Sequence, residues 1–95
     1  MSLISTVYSL QANSKILSNI EYKISLVQNE QMDLTQRTNL AQGNKQMEEQ
    51  LHKMSVQLER DLKKLNMEYD SYKHRVESDE KMQKEAIKRA FSSTI

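Results

Sequence analysis

Two histidines, His52 and His74, are the side chains best equipped for chemistry, and each stands four positions after a carboxylate, Glu48 and Asp70. That spacing places acid and imidazole on one helix face, as helical metal ligands require. Two ligands per pair are too few to hold an ion. The histidines are also about 33 Å apart along one helix at ~1.5 Å per residue, so one chain cannot bring them to a shared metal. The Glu-x-x-His spacing of di-iron bundles occurs at Glu49–His52 only, since Ser71 stands three positions before His74. A symmetric oligomer is the one way to supply a second copy. With a single glycine and no cysteine there is no phosphate-cradling loop, thiol nucleophile or thiolate metal site. The serines stand in no activating context. The expectation is a non-enzymatic protein with no cofactor, no metal and no catalytic residue.

Charge narrows the partners. Fourteen basic and thirteen acidic residues leave a formal charge of +1, which selects neither nucleic acid nor an anionic membrane. Acidic neighbours interrupt the basic clusters at Lys63–Lys64 and from Lys84 to Arg89, so nucleic-acid binding is not expected. No apolar run approaches the roughly 20 residues of a membrane span. No cationic segment followed by an apolar core opens the sequence. The expected location is the cytoplasm, or outside the cell by a route without a cleaved signal peptide.

The elements that must position any site follow from turn residues. Gly43 is the only glycine of 95 residues, and there is no proline. Such a chain can turn sharply almost nowhere except at Gly43–Asn44, where a left-handed glycine can end one helix and an asparagine can cap the next. The fold expected is all-α: one antiparallel two-helix coiled-coil hairpin over 1–95, with arms at 2–42 and 44–91 and a tail at 92–95. The alternative is one unbroken helix of about 140 Å pairing with a second chain. An interior glycine costs that helix only about 1 kcal/mol.

Apolar residues recur at helical spacing. In the first arm they are Leu3, Val7, Leu10, Leu17, Ile20, Ile24, Val27 and Leu34. In the second they are Met47, Leu51, Met54, Leu58, Leu62, Leu65, Tyr69, Tyr72 and Val76, where the successive steps 54–58–62 read as a stutter. Folding at Gly43 brings Leu34 beside Leu51 or His52, Val27 beside Leu58 and Ile24 beside Leu62. It also brings Leu17 beside Tyr69 and Leu10 beside Val76.

The arms differ in polarity. Residues 1–42 hold six charged side chains and residues 44–95 hold twenty-one. Mixed charge marks a solvated helix with pairs such as Glu59–Lys63, Asp70–His74 and Glu77–Lys81. An uncharged face of hydroxyls and amides is easier to bury against a neighbour. Beside the first seam Ile4, Tyr8, Ala12, Tyr22 and Leu26 form a second apolar stripe. Ala86, Ile87, Ala90 and Phe91 extend an apolar face at the other end. Ile4, Tyr8, Tyr22, Leu26, Ile87 and Phe91 are therefore the expected intermolecular contacts.

Ser9-Leu10-Gln11-Ala12, followed by Leu17-Ser18-Asn19, resembles the start of bacterial flagellins, and the charge-poor N-terminus is similar to those of type III export substrates. Size and hairpin shape also resemble needle-type subunits and small WxG secreted proteins. No Leu-Ser-Ser-Gly segment follows, and Ala41-Gln42-Gly43 carries no tryptophan. The resemblance implies helices that pack into a filament or secretion assembly. The function expected is a structural or assembly protein that self-associates; the alternative is an adaptor or chaperone that captures another protein's amphipathic helix.

Overall fold

The computed structural model describes residues 2–93, which form two long α-helices packed against each other: α1 (Leu3–Leu40) and α2 (Lys45–Ser93). No strand occurs among the described residues. The fold is the helical hairpin, not the unbroken helix.

Local chemistry sets the ends. Ser2 caps α1, its Oγ accepting the Ser5 N–H at 3.1 Å while its carbonyl accepts the Thr6 N–H at 3.1 Å. The last turn of α1 closes when the Ala41 N–H reaches the Arg37 carbonyl at 3.0 Å. The Asn44 N–H then bonds the Ala41 carbonyl at 3.0 Å, with Gly43 at φ 90° in between. Only glycine takes that angle without strain. Asn44 caps α2 by accepting the Met47 N–H at 3.2 Å, and Glu48 reaches back so that the Gly43 N–H donates to its Oε1 at 2.9 Å. This reciprocal pair resembles a capping box. α1 stops short of residue 42 because Ala41, Gln42 and Gly43 form the turn. Ser92 and Ser93, placed in a tail from the sequence, belong to α2. Thr94 and Ile95 lie outside the described residues.

A strict seven-residue repeat organises the seam. On α1 the positions are Thr6, Asn13, Ile20, Val27, Leu34 and Ala41, with Leu10, Leu17, Ile24 and Gln31 four residues after the first four of them. On α2 they are Leu51, Leu58, Leu65, Tyr72, Asp79 and Ala86, with Ser55, Leu62, Tyr69, Val76 and Gln83. Every one is buried or half-buried, as an unbroken heptad seam requires. There is no stutter: Met54 stays 47% exposed and Ser55 faces inward in its place. Leu3 and Met47 also lie largely outside the seam.

Two compact units share the helices, Met1–Asn19 with Glu68–Ile95, and Ile20–Met67. In the unit holding the turn, Leu34, Ala41 and Leu51 form the buried cluster, and Leu58 packs on it. Leu51, rather than the exposed His52, meets Leu34. In the other unit Thr6, Asp79 and Ala86 are buried.

Candidate functional site

The histidines do not assemble a site. His52 is exposed, and Glu48 is committed to the turn. His74 has an 82% exposed side chain and lies 4.0 Å from Glu77 rather than paired with Asp70. Among the described residues no group of three or more His, Cys, Asp or Glu side chains could hold a metal ion. Among those residues Asp33 and Arg37 form a close ion pair at 3.1 Å. Glu59–Lys63 and Glu77–Lys81 stay apart, since an exposed pair gains too little to immobilise two long side chains. Lys73 and Arg75 instead lie over the rings of Tyr69 and Tyr72, at 5.9 and 4.5 Å.

Sequence reasoning missed a polar node in the seam. Asp79 is 4% exposed, and its Oδ2 accepts hydrogen bonds from Ser9 Oγ at 2.9 Å and Asn13 Nδ2 at 2.8 Å. Asn13 Nδ2 also lies 3.4 Å from Ser9 Oγ. Ser9 and Asn13 are one helical turn apart on α1, so both reach the same carboxylate. Thr6, fully buried, satisfies its hydroxyl by donating to the Leu3 carbonyl at 2.7 Å. Ser9 and Asn13 on α1 both donate to the Asp79 carboxylate on α2, so the node ties the two helices together. A buried polar layer of this type fixes register, because slippage would strand the carboxylate among apolar groups. The signal for it was the seven-residue step from Leu51 through Leu65 and Tyr72 to Asp79.

Around the turn, shallow grooves flank the Leu34–Leu51 cluster. One of about 360 Å³ is bordered by Glu30, Asp33, Arg37, Met54 and Leu58, and the next, of about 350 Å³, by Leu40, Met47 and Gln50. Arg37 and Met54 border both.

The expected contact residues all lie outside the seam. Ile4 is 70% exposed, Tyr8 69% and Tyr22 66%, while Leu26, Ile87 and Phe91 are also exposed. Leu40, which the sequence reading passed over, is 88% exposed. No helix among the described residues is long and apolar enough to cross a membrane. No family model, no curated protein and no solved structure matches this chain.

Proposed function

We propose that this protein is a non-enzymatic assembly subunit, a helical hairpin that self-associates through the outer face of α1. The observation that carries this reading is the contrast between a thin core and a greasy exterior. The buried apolar residues are Ile20, Leu34, Ala41, Leu51 and Ala86, yet Ile4, Tyr8, Tyr22, Leu26 and Leu40 face solvent on α1. Covering such side chains is worth roughly 25 cal/mol per Å² of apolar surface. Their surroundings are mostly uncharged, so little ionic desolvation opposes burial. Ile87 and Phe91 extend the contact at the end of α2. Light scattering over a concentration series tests this: the molecular mass should rise above that of one 11.2 kDa chain. A monomer persisting at high micromolar concentration contradicts it.

A second reading, capture of another protein's amphipathic helix, draws on the half-exposed Met47 and Met54 beside the grooves near the turn. Flexible thioethers suit an adaptable face. Under it a partner co-purifies in fixed ratio, and Met47→Lys with Met54→Lys abolishes capture while self-association is absent. A place in a filament or secretion system, suggested by the flagellin-like opening, is a narrower form of the assembly reading; the protein would then be recovered outside the cell.

A further inference from the structure

Resting on the self-association reading, we propose that α1 carries a second coiled-coil seam on its outer face, and that its occupant is α1 of another copy, antiparallel and in one register. Along this continuous helix, Tyr8, Lys15, Tyr22, Asn29 and Gln36 recur every seven residues, and Ala12, Asn19, Leu26, Asp33 and Leu40 stand four residues after each. All ten are exposed. They sit two positions on from the buried repeat that starts at Thr6 and Leu10, which is the opposite side of a helix with about 3.6 residues per turn.

The pattern is complementary to its own reverse. When Tyr22 meets Leu26 of the second copy, symmetry repeats that layer at the centre. Asn19 then meets Asn29, Lys15 meets Asp33, Ala12 meets Gln36 and Tyr8 meets Leu40. Apolar faces apolar at Tyr22–Leu26 and Tyr8–Leu40, amide faces amide and cation faces anion, and Ala12–Gln36 is the one mixed layer. An amide pair inside a seam selects register, because slippage leaves it unsatisfied. Asp33 is bonded to Arg37 of its own helix, but its side chain is 58% exposed and open to a second cation.

Competing arrangements fail on the same residues. Sliding by one heptad in one direction sets Asp33 against Tyr22 and Lys15 against Leu40; in the other, Lys15 meets Leu26 and Asp33 meets Tyr8. A parallel, in-register pair sets Lys15 against Lys15 and Asp33 against Asp33. The outer face of α2 is a poor substitute, since Lys53, Arg60, Lys64, Lys81 and Lys88 occupy its equivalent positions with Glu85 as the one acid among them, an excess of like charge.

The absence of native cysteine permits a direct test on the full-length chain. Asn19→Cys and Asn29→Cys are prepared separately and oxidised alone and mixed, with mass measured in parallel. The expected result is a disulfide-linked heterodimer in the mixture and almost none in either variant alone, because like positions then sit about 15 Å apart along the axis, beyond disulfide reach. Efficient linking of Asn19→Cys to itself would establish the parallel arrangement and overturn the proposal. Oligomers of wild-type mass with no mixed disulfide would overturn the register while leaving self-association intact. Monomers throughout would remove both. Charge exchange gives an independent reading: Lys15→Asp or Asp33→Lys alone should weaken association about tenfold, since two symmetry-related pairs turn from attraction to repulsion. Mixing the two variants should restore it. Undiminished association of each variant alone would contradict the proposed pairing.

Discussion

On the outer repeat α1 presents Tyr8, Tyr22, Leu26 and Leu40 with Lys15 and Asp33 as its charges, whereas the equivalent positions of α2 carry Lys53, Arg60, Lys64, Lys81 and Lys88 with Glu85 as the one acid, around Met67. Both faces are exposed, and both belong to helices with regular heptad seams on the inner side. The difference lies in what covering them costs. Burying α2 would desolvate five ammonium and guanidinium groups with only Glu85 to balance them. Burying α1 removes aromatic and aliphatic surface from water and leaves one cation and one anion able to satisfy each other. A heptad repeat alone therefore does not identify an interface; the residues on its second face decide which helix stays wet.

Tyr22→Lys combined with Leu26→Lys breaks this comparison most severely, because symmetry places both substitutions twice at the centre of the proposed contact. Association should fall by more than about a hundredfold with circular dichroism unchanged. Met67→Lys on α2 should leave association intact, and an equal loss there would erase the distinction between the faces. The comparison also presumes that the hairpin survives, which rests on the inner polar node. Asp79→Ala leaves Ser9 and Asn13 without their acceptor and should cost about 1–3 kcal/mol, seen as a lowered melting temperature. Gly43→Ala meets no steric obstacle, since a Cβ there has nothing within 4 Å, but it forces an L-residue to φ 90°. The expected loss is about 1 kcal/mol in denaturant titration. Smallest is Arg37→Ala, which removes an exposed intrahelical ion pair and should change monomer stability by no more than about 0.5 kcal/mol.

The sequence made the hairpin legible because Gly43 and Asn44 are the only efficient turn signal between two long periodic stretches. Every expected seam residue, from Leu10 and Leu17 through Ile24, Val27 and Leu34 to Leu51, Leu58, Leu62, Tyr69 and Val76, is buried or half-buried. Hydropathy misled at Met54, because the seam continues through Ser55, and it was blind to Asp79, because a carboxylate does not register as core. Both would have been recovered by holding the seven-residue period fixed and accepting polar occupants. The expected contact residues Ile4, Tyr8, Tyr22, Leu26, Ile87 and Phe91 are exposed. The exposed seven-residue repeat on α1 interleaves Tyr8, Tyr22 and Leu26 with Lys15, Asn19, Asn29 and Asp33, polar positions that a search for apolar residues alone passes over.

A spin label at position 36, introduced through Gln36→Cys, measures the central claim most directly. In the antiparallel arrangement the two copies of that position are separated by 24 residues of helix, so the intermolecular distance should be about 36 Å at ~1.5 Å per residue. A distance below roughly 15 Å, or no intermolecular coupling at high micromolar concentration, would contradict self-pairing of α1 in this register.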